Sequence, residues 1–214
     1  MNACVKMDIL YLENKAEETA IILEYRRVQM ELTAILPFDA KLLYMIESTF
    51  KSNIMDHVML FFTRMGDFGL VWIAAGLMLA FTSKYRRAGA CLLMALAAGA
   101  IVGNLVMKPL IARPRPFMEL EGIKNILGIS FSYSFPSGHT TSSFAAAYML
   151  TRYFGKKGAL AYIPATLIAF SRMYFFVHYP SDIIGGIVTG TLCAHMVHEV
   201  SKKIIKMSFP LQNG

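Results

Sequence analysis

From about residue 55 onward the chain consists largely of apolar runs long enough to cross a bilayer, which constrains its fold more than any other feature. A crossing takes roughly 20 predominantly apolar residues per helix, because backbone groups in lipid must be satisfied internally. Five runs predict spans: 55–82, 88–107, Ser137 to just before Arg152, 158–176, and Ser181 to about Val197. The expected fold is all-α, a polytopic transmembrane helical bundle of five to six membrane helices with an amphipathic N-terminal helical segment. The boundaries expected are 1–53 for that segment, 54–200 for the transmembrane domain and 201–214 for a basic cytoplasmic tail. Composition agrees: 56% of residues are hydrophobic and only 16% charged, against about 25% charged in soluble domains.

The first 53 residues read differently. Six charges interrupt the apolar residues of 16–36, too many for hydrocarbon, so an interfacial amphipathic helix is expected there. Pro37 and Asp39 should break it, with a second short amphipathic helix over 40–50. Lys6, Asp8, Glu13 and Lys15 leave no apolar stretch for a signal peptide, so the first membrane helix is expected to direct insertion. Cys4, Cys91 and Cys193 have no paired spacing, which predicts neither a disulfide framework nor a zinc site.

Charge is also uneven. Residues 1–53 hold six Lys/Arg and eight Asp/Glu, while 54–214 hold fifteen and six. The basic residues lie between apolar runs, not in a surface stripe, so nucleic acid is not an expected partner. Lys84, Arg86 and Arg87, then Arg152, Lys156 and Lys157, then Lys202, Lys203 and Lys206 all fall on one side of the five spans. The positive-inside rule makes that side cytoplasmic. Lys108, Arg113, Arg115 and Lys124 then lie on the outer side, against the rule, and require a reason beyond topology.

Loop 108–136 begins with Lys108-Pro-Leu-Ile-Ala-Arg113-Pro-Arg115-Pro116, where prolines end a helix and hold cations near the membrane surface. Such cations suit phosphate oxygens or lipid headgroups equally. The loop closes with Pro136-Ser137-Gly138-His139 at a helix start, where free N–H groups and the macrodipole favour an anion. At the opposite corner, Ser171-Arg172 is followed by His178 and Asp182; a carboxylate there can fix one imidazole nitrogen and free the other. Arg64 and Asp67, three residues apart, are expected to pair on one helix face. His57 sits at the outer end of the first span, His195 and His198 near the cytoplasmic end of the last, and Tyr133 and Phe135 border the loop. Lys108, Arg115, Arg172, His139, His178 and Asp182, three cations, two imidazoles and one carboxylate, thus gather at one membrane face without a metal-ligand cluster. That set matches phosphoryl transfer by charge neutralisation, nucleophile and proton donor.

Lys108-(six residues)-Arg115-Pro116, Pro136-Ser137-Gly138-His139 and Ser171-Arg172-(five residues)-His178-(three residues)-Asp182 resemble, in order, three signatures of the type 2 phosphatidic acid phosphatase superfamily. The resemblance covers about 55–200. It implies a metal-independent lipid phosphatase without cofactor, in which His178 attacks phosphorus to form a phosphohistidine and Asp182 orients it. His139 would protonate the leaving oxygen; Lys108, Arg115, Arg172 and the backbone of Ser137 and Gly138 would hold the phosphate. Lipid phosphate and membrane lipids are the implied partners, the plasma membrane the implied location, and the outer side the implied site of reaction. Undecaprenyl pyrophosphate ranks first among substrates, ahead of phosphatidylglycerol phosphate and phosphatidic acid. A vanadate haloperoxidase-like enzyme and a non-enzymatic lipid transporter are the alternatives.

Overall fold

A computed structural model of the chain describes residues 37–120, 122–129 and 132–208, with side chains to Lys203. The helix expected over 16–36 lies outside them. Contacts divide the chain into Met1–Asp39 and Ala40–Gly214, and the second unit holds the helices and the site that follow. Among the described residues every regular element is helical.

Among the described residues, 37–50 are helical (α1), so Asp39 lies within a helix and does not break it as expected. Ser52 caps α2 (Asn53–Met65), its hydroxyl accepting from the Met55 N–H at 3.2 Å. Gly66 ends α2, a short 3₁₀ turn follows at Asp67–Gly69, and α3 runs from Leu70 to Phe81. Phe68 (φ 53°) and Gly69 (φ 67°) are both left-handed, and the two arms bend by 45°.

On α3 only Trp72 and Gly76 are buried, while Leu70, Leu77, Met78 and Phe81 point outward. An apolar exterior of this kind suits lipid and not water. Helix α4 (Arg86–Ala100) packs against α3 and continues through a π-helical stretch, Ile101–Met107, into the short helix Lys108–Ile111. Helix α5 (Gly138–Phe154) occupies the middle, touching α4, α6 (Tyr162–Tyr174) and α7 (Pro180–Ser208). The one tryptophan closes this core, Trp72 Nε1 donating to Ser143 Oγ at 2.9 Å.

Small residues set the helix spacing. A Cβ on Gly89 of α4 would run into the backbone of Gly76 and Ala80 on α3, and one on Gly190 of α7 into the Thr141 carbonyl of α5. Gly89→Val should therefore force α3 from α4 and cost about 1–3 kcal/mol or more. A clear drop in the unfolding midpoint of the detergent-solubilised protein is the expected result.

Among the described residues, length and apolarity single out fewer stretches than the five expected spans. Two stretches, Arg86–Glu119 and Pro180–Lys203, are long and apolar enough, and the bent pair Asn53–Met65 and Asp67–Phe81 makes a third if it counts as one. Helices α5 and α6 have 17 and 13 residues, about 26 and 20 Å at 1.5 Å per residue against a hydrocarbon core of about 30 Å. The apolar character of α5 serves packing: Thr140, Ser143, Ala145, Ala146, Ala147 and Met149 are all buried. Hydropathy does not distinguish a helix lined by lipid from one lined by other helices.

The basic loops do share one end. The Tyr85 and Phe154 rings lie 5.3 Å apart, Tyr153 and His198 5.8 Å, and Arg87 Nη2 donates to the Ser201 carbonyl at 3.4 Å. Cys91 and Cys193 are free thiols.

Candidate active site

At the other end of the bundle, the corner between α6 and α7 and the start of α5 converge on a cavity of about 850 Å³. Its polar part is lined by Lys108, Arg115, Gly138, His139, Arg172 and His178. Leu93, Leu96 and Ala97 of α4 and Phe68 and Ile73 beyond the bend continue the wall as apolar surface.

His178 is buried at the corner, its N–H and that of Val177 both donating to the Arg172 carbonyl. The corner thereby joins the end of α6 to the start of α7. His178 Nδ1 lies 3.4 Å from Asp182 Oδ2, and its Nε2 lies 3.3 Å from Arg115 Nη1. A guanidinium only donates, so Nε2 must offer a lone pair and the ring proton belongs on Nδ1, toward Asp182. Burial, then the charges of Arg115, Arg172 and Lys108, hold the imidazole pKa well below its usual value. The ring stays neutral and its Nε2 lone pair available at pH 7.

Asp182 is wholly buried and multiply held. Oδ2 accepts from the Tyr179 N–H at 2.8 Å and from the Ser134 hydroxyl; Oδ1 accepts from Arg113 Nη1 at 2.8 Å. Arg113 also donates to Ser181 Oγ at 2.6 Å and stacks 4.1 Å above the Tyr179 ring, whose hydroxyl donates to Glu119 Oε2 at 3.0 Å. Burial and the Glu119 carboxylate push the Tyr179 phenol up, which keeps it a neutral donor. Arg113 and Ser134 hold Asp182, a part that sequence reasoning did not assign to either. Their contacts to Asp182 span 69 and 48 residues, and no local pattern signals them.

The cations are arranged for an anion. Arg115 is anchored by Nη1 to the Val177 carbonyl at 2.8 Å, Nε to the Ser132 carbonyl at 2.9 Å and Nη2 to Ser132 Oγ at 2.9 Å. Arg172 is buried, donates from Nη1 to the Thr63 hydroxyl, and has no partner for Nε. Lys108 Nζ has no hydrogen-bond or ion-pair partner among the described residues. A buried donor without an acceptor is costly, and an anion in the cavity would relieve it.

Ser137 departs from its expected role as a phosphate donor. Its N–H donates to the Asp182 carbonyl at 3.1 Å and its hydroxyl caps α5 by accepting from Thr140. It is fully buried and does not line the cavity, whereas Gly138 does. The donors that α5 presents thus begin at Gly138. Asn104, within the π-helical stretch, lines the cavity beside Gly138, and a Cβ on that glycine would approach Asn104 Oδ1 to 3.3 Å. A lone asparagine in an apolar run is a signal the sequence did carry.

The expected Arg64–Asp67 pairing is replaced by another. The helix ends before Asp67, whose Oδ1 lies 3.0 Å from His139 Nε2. His57 contacts its own turn through the Asn53 carbonyl at 2.7 Å, and His195 meets the Tyr148 hydroxyl at 2.9 Å at the opposite end. Among the described residues no group of three or more His, Cys, Asp or Glu side chains gathers as metal ligands.

Known proteins share this architecture. A solved phosphatidylglycerolphosphate phosphatase of the transmembrane PAP2 type from Bacillus subtilis superposes with a TM-score of 0.65 at 25% identity, over 87% of this chain and 96% of that one. LpxE of Aquifex aeolicus shares the fold, with a TM-score of 0.62 at 24% identity over 75% of this chain and 94% of that one. The bacitracin transport permease protein BcrC of Bacillus licheniformis is 27% identical over 143 residues, 65% of this chain and 70% of that protein. An undecaprenyl-diphosphatase of Sulfolobus acidocaldarius is 30% identical over 63% of this chain and 65% of its own length. A lipid A 4'-phosphatase of Porphyromonas gingivalis is 35% identical over 44% of this chain and 42% of its own length. A family profile described as the PAP2 superfamily matches residues 88–206, more than half of the chain. The convergence of the Lys108, His139 and His178 segments within that match makes the chain a member of the PAP2 superfamily, in its branch of membrane lipid phosphatases.

Proposed function

We propose that this protein removes phosphate from a lipid (pyro)phosphate through a phosphohistidine on His178, without a metal ion, on the extracytoplasmic side of the plasma membrane. One observation carries the reading: a neutral His178, its Nε2 turned toward Arg115, lines the cavity that also holds Lys108, Arg115 and Arg172. In-line attack by Nε2 would form the P–N bond as the P–O bond to the lipid breaks. The cations would balance charge on the equatorial oxygens, the chief demand of phosphoryl transfer. Asp182 would hold the Nδ1 proton and stabilise the ring as it becomes cationic, and His139 would protonate the departing oxygen. Water would then release inorganic phosphate from the ring. The apolar wall between α3 and α4 suits a lipid tail.

Undecaprenyl pyrophosphate stands first among substrates, with phosphatidylglycerol phosphate and phosphatidic acid next. Relatives named as an undecaprenyl-diphosphatase and a phosphatidylglycerolphosphate phosphatase support the first two of these. Purified protein in detergent should release phosphate with chelator present, and vanadate, a mimic of five-coordinate phosphorus, should inhibit. Comparing kcat/KM across the three lipids ranks them. Strict dependence on added divalent metal would sink the mechanism. The orientation has its own check: a cysteine placed in residues 122–129 should react with an impermeant thiol reagent from outside the cell.

A further inference from the structure

The bend between α2 and α3 does more than shorten a helix. Were the helix unbroken, Asp67 would follow Arg64 along one face. Instead Gly66 closes on the start of α5: a Cβ there would lie 2.7 Å from His139 Cδ2 and 2.6 Å from Ile168 Cγ2. Phe68, a bulky residue, is held left-handed at φ 53° just beyond, with its side chain exposed. Such a conformation is strained for a residue with a side chain and persists where the surroundings enforce it, often at functional sites. The product of this turn is the 3.0 Å contact between Asp67 Oδ1 and His139 Nε2. Among the described residues that line the cavity, Asp67 is the one carboxylate, facing Arg64, Lys108, Arg115 and Arg172.

We propose that Asp67 is the positioning partner of His139, so that the site carries two histidine–carboxylate pairs, one for attack and one for the leaving group. The inference rests on the lipid-phosphatase reading above. Asp67 accepts the Nε2 proton and fixes the ring, and together with the negative charge of the bound phosphate it offsets the surrounding cations, so that His139 holds a second proton on its other nitrogen once substrate is bound. When His178 Nε2 bonds to phosphorus and the P–O bond breaks, that second proton moves to the lipid oxygen. The neutral ring then takes a proton from the attacking water as the P–N bond breaks. Phosphate leaves and the imidazolium is restored.

The test uses leaving groups. Farnesyl diphosphate expels a phosphate oxygen, which departs without a proton; farnesyl monophosphate, with the same tail, expels an alkoxide that needs one. General acid catalysis typically supplies about 10²–10⁴-fold, so Asp67→Asn should lower kcat/KM on the monophosphate by about 10²-fold and on the diphosphate by less than about threefold. Asp67→Glu, which keeps the charge, should recover part of the loss on the monophosphate alone. An equal fall on both substrates, or none on the monophosphate, overturns the proposal. So does a wild type confined to the diphosphate, because an oriented acid should expel the alkoxide. Vanadate binding at wild-type strength shows that D67N is folded; if D67N does not fold, D67E decides by the same comparison between substrates. A wild type that hydrolyses neither lipid refutes the phosphatase reading itself and this proposal with it.

Discussion

Replacing His178 by alanine should lower phosphate release by at least about 10⁴-fold, the scale on which loss of a covalent nucleophile acts. In the proposed mechanism no other group stands in for Nε2, which faces Arg115 at 3.3 Å at the wall of the cavity. Substrate labelled in its terminal phosphate should leave label on the wild-type protein after an alkaline quench, and none on the His178→Ala variant. The substitution removes a buried ring, so folding is checked by vanadate binding, to which Lys108, Arg115 and Arg172 should still contribute. Label retained by the variant would move the nucleophile to another residue.

Asp182→Asn should fail in two separable ways. An amide in place of the carboxylate can turn its N–H toward Nδ1 and favour the wrong tautomer of His178. Loss of that orientation costs about 10⁴-fold in kcat in the best-studied triad. The same change strips Arg113 of its counter-charge in a setting where the two side chains are 2% and 0% exposed. Breaking a buried ion pair from one side costs about 3–5 kcal/mol, because the remaining charge is left unsolvated. Arg113→Ala should share the loss of stability but keep more activity, since Asp182 retains Ser134 and the Tyr179 N–H. A double variant, Arg113→Leu with Asp182→Asn, should be less destabilised than the sum of its parts. Thermal unfolding in detergent and kcat/KM together test both halves. Activity of Asp182→Asn within tenfold of wild type would contradict the assigned role.

Much of the candidate site was legible because its residues sit at helix ends, where chain direction and hydropathy locate them. Lys108, Arg115, His139, Arg172 and His178 all line one cavity, as the three segments predicted. Ser137 shows the limit of that reasoning. Its place at a helix start was right, yet which acceptor its N–H takes depends on α7, and α7 delivers the Asp182 carbonyl. Arg113 lay between two motif positions and was read only as one more cation. Nothing in the local sequence says that it points at a carboxylate 69 residues away.

The sequence by itself determined the class: apolar runs that only lipid or a helical interior can accept, and a set of cations and imidazoles kept at their outer end against the positive-inside rule. Tertiary structure alone decided how these were used. It paired Arg113 with Asp182 and Asp67 with His139, and it broke the first expected span at Gly66 through Asp67. Of the five expected spans, two or three are described stretches long and apolar enough to cross by themselves. The physical reason is common to both. Hydropathy records that a residue avoids water but not what replaces the water, and a charge records a need for a partner but not which one the fold supplies.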